Sequence, residues 1–351
     1  MPVFSAEVLQ SFAKSLFVAG GVPEEDANIV ADSLISANLR GHDSHGVIRI
    51  PQYLKMIEEG ILKPGLPLEV VSETAAVLIA DGQWGLGQVQ AHRLLARIIP
   101  KAHEIGIAAG AMKRCGHIGR LGEYGEAAAG QNCALIATVN GHGYGRAVAP
   151  PGGVAGRIGT NPLCLAVPTR TDPVVLDIGT SVCAEGKVRV CYNKGVPTPE
   201  GWLLDAQGKP TTDPAVLYRE PKGTILPLGG SQAYKGFGIG LLLDMFAGGL
   251  TGAPCSRPEV TKPLGNAVLF IVLDINKFAG AEHFLNEVTG IAEAVRQCPR
   301  AEGVDAILLP GDPERRQYQK RSAAGIPLDD GTWKQLCELA QSLEVNIPAE
   351  A

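Results

Sequence analysis

The stretch NLRGHDSHGVIRIPQYL, residues 38–54, packs two histidines, an Asp, a Ser, two arginines and a Tyr between glycines and a proline. The whole chain has 351 residues and seven histidines, so His42 and His45 standing three apart invite a chemical reading. Imidazole changes charge near neutral pH, which suits proton transfer, and it is also a common metal ligand. The H-x-x-H pair lacks an accompanying carboxylate or Cys cluster, so no metal is expected here. The bland alternatives are a packed or capping His and a solvated Arg. Both stay open on these residues alone. Positions 45, 49 and 53 are one helical turn apart, so a helix entered at this turn would aim His45, Arg49 and Tyr53 one way.

Several glycine-rich polar loops could complete such a site. RCGHIGRLGEYG (114–125) sets His117 among glycines every three residues. Glycine there lets a flat group approach backbone N–H groups. GRIGTNP (156–162) leads into a strand. LDIGTS (176–181) leaves a strand at a Gly with two hydroxyls, where N–H groups can meet phosphate. AYKGFG (233–238) puts Lys235 at the start of an apolar helix, an unfavourable place for a cation unless it has a task. LLPGDPE (308–314) is read as leaving a strand through Pro-Gly into acids. His92, His103, His142 and His283 have no such context and read as surface or structural.

The elements that must position these residues follow from periodicity. Residues 5–21 and 23–40 predict two helices, with Val8, Phe12 and Leu16, then Val30, Leu34 and Ala37, at helical spacing. Pro23 before Glu24, Glu25 and Asp26 marks a helix start. GHDSHG predicts a turn, and VIRIPQYLKMIEEG a further helix with Pro51 in its first turn or at a kink. From residue 76 the character becomes α/β. AVLIADG, IAAGAM, CALIATVN, LCLAVP, PVVLDIG and AVLFIVLD read as strands, and GQVQAHRLLARIIPKAHEIG as a helix. Residues 190–230 read as an irregular excursion rich in Pro, Gly and Asp. Residues 234–252 predict a glycine-laced apolar helix, and the tail after 279 amphipathic helices.

Composition excludes several classes. Hydrophobic content of 45% and charged content of 19% are those of an ordinary globular chain. A net charge of −5 leaves no nucleic-acid footprint. The N-terminus does not read as a signal peptide, and no uncharged stretch reaches the ~18–20 apolar residues of a membrane span. The eight cysteines are scattered without a C-x-x-C. They read as reduced, buried thiols of a cytoplasmic protein. No G-x-G-x-x-G, Walker A or G-x-S-x-G motif occurs. GHGYG (141–145) and GFGIG (236–240) are only near misses, so an ordinary Rossmann, P-loop or hydrolase reading fails.

Nearly the whole chain resembles the type 2 malate/L-lactate dehydrogenase family, and within it the bacterial hydroxycarboxylate dehydrogenase B branch. GHDSHGVIRIPQY, GHIGRLGEYG, GTNPLCLAVP, LDIGTS…GK, YKGFG and LLPGD carry the resemblance in order. It implies an α/β fold with a mixed sheet, not a Rossmann domain. It implies a helical substrate domain, 1–70 completed by 284–351, around an NAD(P)-binding domain, 71–283. It implies His45 and His117 as catalytic residues and Arg49, Tyr53 and Ser44 as substrate contacts. Cofactor contacts then fall on His45, Gly119, Arg120, Leu121, Val175, Leu176, Asp177, Ile178, Gly179, Tyr234, Lys235, Gly236, Asn266, Gly311, Asp312, Pro313 and Glu314. The chain departs from many relatives at Ile178-Gly179, at Tyr234 where His is common, at Asp312 where Glu is common, and at Cys115-Gly116.

The expected activity is hydride transfer between NAD or NADP, NAD favoured, and a small-molecule 2-oxo or 2-hydroxy acid, in a homodimer whose site is completed across the interface. Reduction of a cyclic imino acid is the enzymatic alternative. A non-catalytic nucleotide-binding descendant is the other, and the intact His45, Arg49, His117 and Lys235 argue against it.

Overall fold

The N-terminal helices form where caps and apolar stripes coincide. A short strand β1 (Val3–Phe4) precedes helix α1 (Ala6–Ala19), whose cap residue Ser5 accepts from the Val8 N–H at 3.2 Å. The buried stripe is Leu9, Phe12, Ala13, Leu16 and Phe17, while Val8, expected inside, is exposed. Helix α2 (Glu24–Leu39) follows Pro23 and carries three acids in its first turn. The next helix, α3 (Ile50–Glu58), has its proline at the N-terminal end as expected. Residues 43–49 are not part of it. They form two 3-10 turns, Asp43–His45 and Val47–Arg49, separated by an extended Gly46. His45, Arg49 and Tyr53 therefore do not ride on a single helix.

This computed structural model describes residues 1–260 and 265–349. Its central part runs β2 (Glu69–Glu73), β3 (Val77–Asp81), α4 (Gly87–Ile105), β4 (Ile107–Cys115), α5 (Gly122–Ala129), β5 (Cys133–Asn140), β6 (Leu163–Val167) and β7 (Val174–Ile178). The excursion has its own elements: α6 (Glu185–Lys194), β8 (Leu203–Leu204), β9 (Pro210–Thr211) and β10 (Thr224–Ile225). The last three strands form a small antiparallel sheet over a core of Val148, Ile158, Val188, Leu203, Val216 and Ile225. The apolar helix α7 (Ala233–Gly249) and the long strand β11 (Asn266–Asp274) return the chain to the centre. It ends with α8 (Ala281–Arg296), α9 (Asp312–Ala324), β12 (Ile326–Pro327) and α10 (Asp330–Ser342).

The main sheet has the order β2-β3-β4-β11-β5-β6-β7. Only β3 and β4 are parallel, joined by α4; the other neighbours are antiparallel. A nucleotide-binding turn of the Rossmann kind needs a run of parallel β-α-β units, and this sheet has a single one. Leu135, Ala137 and Val139 of β5 join the core under α4 and α5. By strand alternation Asn140 faces the other way, where it meets α7. The two chain ends share a second core. β1 pairs with β12, and Trp333 of α10 lies 4.5 Å from the Phe4 ring.

Three expectations are corrected. β2 was missed because all five of its residues are exposed, so it shows no alternation. No strand precedes LLPGD; residues 304–309 run without regular structure, and what holds this segment is the Pro310 carbonyl accepting from the Val175 N–H at 3.1 Å. All eight cysteines are free, but only Cys115, Cys133, Cys164 and Cys183 are buried, and Cys298 is exposed. Among the described residues no helix is long and apolar enough to cross a membrane.

Candidate active site

Glycine at position 46 sets the local path. A Cβ there would come within 2.1 Å of the Asn38 Oδ1. That oxygen accepts from the Val47 N–H at 2.9 Å, and the Asn38 Nδ2 donates to Asp43 Oδ1 at 2.7 Å. Arg321 of α9 also pairs with Asp43, at 2.6 Å. The turn is thus clamped between α2 and α9, and it delivers His45 to a fixed place.

There His45 meets His117, which follows β4 in the glycine-rich loop. The ring centroids are 5.3 Å apart. Ser44 Oγ lies 3.0 Å from His45 Nδ1. Tyr53, fully buried, sits behind His117 with its hydroxyl 2.6 Å from Nδ1. Gln88 of α4 donates its amide N–H to that hydroxyl at 3.2 Å. Burial pushes the Tyr53 phenol up to about 12, so it keeps its proton. With Gln88 filling its acceptor side, the Tyr53 O–H donates to His117 Nδ1. The His117 proton is therefore on Nε2, the nitrogen left for a ligand.

Both imidazoles are neutral at pH 7. Burial, then the Arg49 guanidinium, then His42 and Arg120 hold His45 down at about 3. Burial, Arg49 and His45 hold His117 well below its ordinary value. Arg49 is anchored by its Nε on the Ser44 carbonyl at 2.7 Å and by Nη1 on Gln52 at 2.8 Å. Its charge is thus felt at both rings and is free of any carboxylate partner among the described residues.

A cavity of about 220 Å³ opens beside the two rings. His45, His117, Gly119 and Asn266 of the predicted residues line it, together with glycines 141, 145 and 159 and with Tyr144, Thr160, Asn140 and Asn161. Tyr53 and Arg49 are not on its wall. The remaining predicted residues are not on its wall. Asp177 accepts from the Gly122 N–H at 2.7 Å, and burial raises its carboxyl. Arg120 is buried and paired with Glu126 at 2.9 Å. Gly311, with φ +93°, lies against the Val175 backbone and starts α9. His42 reaches Glu314 at 3.4 Å. Asp312 is occupied by Arg296 and Arg315. Leu121 and Val175 face the core, so they can offer a ligand only backbone. Tyr234 and Lys235 are exposed on the first turn of α7; Gly236 packs inward on the Leu228 backbone.

Sequence reasoning missed Gln88, Asn140, Asn161 and Asp244. Gln88 had a readable signal. It continues the Ala91, Leu95, Ile98 and Ala102 stripe of α4 and is a polar residue on the inner face. The asparagines are placed by contacts that only folding makes.

The sheet lacks a Rossmann unit and carries paired neutral imidazoles beside a guanidinium, groups that can move a proton and attract an anion. The malate/L-lactate dehydrogenase family model matches residues 4–337, and the chain belongs to that family. It is 38% identical to hydroxycarboxylate dehydrogenase B of Escherichia coli O157:H7, over 99% of this chain and 95% of that one. The solved sulfolactate dehydrogenase of Methanocaldococcus jannaschii superposes with a TM-score of 0.87 at 33% identity, covering 99% and 98% of the two chains. The Δ1-piperideine-2-carboxylate reductase of Pseudomonas syringae pathovar tomato superposes at 0.84 with 28% identity, covering 97% and 100%. The protein is thus an oxidoreductase of the 2-hydroxy-acid dehydrogenase class, and the family implies a nicotinamide cofactor.

The residues fit that cofactor. The cavity is smaller than the ~300–1,000 Å³ of drug-sized ligand pockets. It suits one ring plus a small acid. Arg120, next to the cavity glycine Gly119, has a buried Nε without a partner among the described residues.

Proposed function

We propose that the chain reversibly reduces small 2-oxo acids of the oxaloacetate, pyruvate, 2-oxoglutarate or aryl-pyruvate type, with NAD favoured over NADP. The carrying observation is the pair of neutral imidazoles 5.3 Å apart in a small cavity, with Arg49 acting on both. Arg49 lies off the cavity wall and holds the substrate carboxylate through its Nη2 side, which is not spent on Ser44 or Gln52. Ser44 and Tyr53 complete this part of the site, Tyr53 through His117. Glycines 119, 179, 236 and 311, the 175–178 strand end, Arg120, Leu121, Tyr234, Lys235, Asn266 and the 312–314 turn hold the cofactor, which supplies the hydride.

One of His45 and His117 supplies the proton. Each ring is kept neutral partly by Arg49. A bound carboxylate offsets that charge, so the ring gains proton affinity when the oxo acid arrives and can then protonate the developing alkoxide. In this reading 1–70, completed by 284–351, is the substrate domain and 71–283 the cofactor domain. Free thiols suit a reducing cytoplasm.

Turnover of pyruvate, oxaloacetate, 2-oxoglutarate and phenylpyruvate with NADH and NADPH tests the proposal. At least one 2-oxo acid is expected to be reduced. Replacing the proton donor, by His45→Ala or His117→Ala, should lower kcat roughly 100-fold or more. No turnover of any 2-oxo acid overturns the reading. The likeness to the Pseudomonas reductase favours a second reading, reduction of a cyclic imino acid, for which the same Arg and His would serve. Including a cyclic imine in the same panel separates the two.

A further inference from the structure

Three asparagines line the cavity: Asn140, Asn161 and Asn266. Two of them are spent inside the protein. The Asn140 amide donates to Asp244 Oδ1 and to the Pro254 carbonyl, and its Oδ1 accepts from the His142 N–H at 2.9 Å. The Asn266 amide donates to the Asn140 and Gly265 carbonyls, and its Oδ1 accepts from the Ile118 N–H at 2.9 Å. Asn161 differs. Its Nδ2 donates to the Gly240 carbonyl at 2.9 Å and to Asp244 Oδ2 at 3.1 Å. Both partners can only accept, so the amide cannot be flipped. Its Oδ1 takes no hydrogen bond among the described residues, and it is 2.9 Å from where a Cβ of the cavity glycine Gly159 would stand. Asp244 is itself buried in α7 and held further by the Ser256 N–H and hydroxyl.

We propose that Asn161 recognises the carboxamide of the nicotinamide ring, its Oδ1 accepting from the carboxamide NH2, and that Asp244 is the positioning residue that keeps this oxygen turned to the cavity. The proposal rests on the nicotinamide reading. Within it, the cavity wall offers one asparagine acceptor that the protein leaves open. That oxygen is open to the cavity; a ring that covers it shuts it off from solvent, so a ligand that then brings an N–H is selected over one that brings a methyl.

The test needs no variant at first. NADH fluorescence in the parent protein is titrated, and bound NADH is displaced with NAD and with its 3-acetylpyridine analogue, in which a methyl replaces the NH2. The parent should prefer the carboxamide by about 3- to 10-fold, the range of one hydrogen bond. Asn161→Ala should bring that preference below about 2-fold while NADH still binds. In Asp244→Asn one obligate acceptor of the Asn161 amide is lost, and the preference should shrink in the same direction. If neither NADH nor NADPH binds the parent, the nicotinamide reading itself fails. If the parent binds NADH but treats the two analogues alike, or if Asn161→Ala keeps the full preference, the nicotinamide reading survives and this assignment is overturned.

Discussion

Tyr53 carries more than its place on α3 suggests. Its hydroxyl sets which nitrogen of His117 holds the proton, and it does so from a fully buried position. Tyr53→Phe removes the donor from His117 Nδ1 and the acceptor from Gln88 in one step. Stability should fall by about 1–3 kcal/mol, the usual result of orphaning buried polar groups. The kcat for 2-oxo acid reduction should fall at least about tenfold, because the tautomer is no longer held. Urea unfolding and steady-state kinetics read the two effects, and an unchanged kcat would show that the tautomer is irrelevant to turnover.

The imidazoles also set a pH dependence. An unfolded His takes a proton below about 6.5, whereas folded His45 does not until about 3. Between these values the unfolded chain holds the extra proton, so stability falls as pH falls through that window. His45→Asn should flatten this acid slope of Tm between pH 6.5 and 4, and an equally steep slope in the variant would remove His45 from the account.

At the scale of elements, the turn at 43–49 depends on a missing side chain. Gly46→Ala drives a Cβ into Asn38, whose Oδ1 satisfies the buried Val47 N–H. Displacing Asn38 should destabilise the fold by about 1–3 kcal/mol, and it should also loosen Asp43 and thereby His45. A drop in Tm of several degrees with weakened kcat/KM is expected. A variant as stable as its parent would mean that Asn38 yields at no cost. α9 shares this clamp, since Arg321 reaches Asp43 and Glu314 reaches His42. None of its side chains is buried, so it is held to the molecule by polar contacts around the site.

At the scale of the whole molecule, α7 leaves an apolar stripe in water. Ile239, Leu242, Met245, Phe246 and Leu250 are 46–57% exposed. Ile136 and Leu165, paired across β5 and β6, are exposed as well. Apolar patches of this extent mark interfaces. We infer that a second copy of the chain covers this face, making the homodimer expected from the family resemblance. Leu242→Glu should shift the sedimentation mass from that of two chains toward one. A parent that sediments as one chain at micromolar concentration would end the idea.

The local code of the chain was legible because periodicity and caps act within a few residues. α1, α2, α4 and the inner strands follow from apolar spacing, and the glycine loops with His45 and His117 stood out by composition alone. β2 was illegible because an exposed edge strand buries nothing and so needs no alternation. The strand expected before Pro310 failed because the segment meets the edge strand β7 through the Pro310 carbonyl and builds no ladder on it. Sheet order is likewise a matter of which strands meet, and a string of strands and one crossover helix does not say that β11 inserts between β4 and β5. The site divides along the same line. Residue types chosen for chemistry are written in the sequence. The side of Asn161 that faces the cavity, the nitrogen of His117 that keeps its proton and the depressed proton affinity of both rings were decided only when residues far apart in the chain were buried against each other, since burial and long-range hydrogen bonds create those properties.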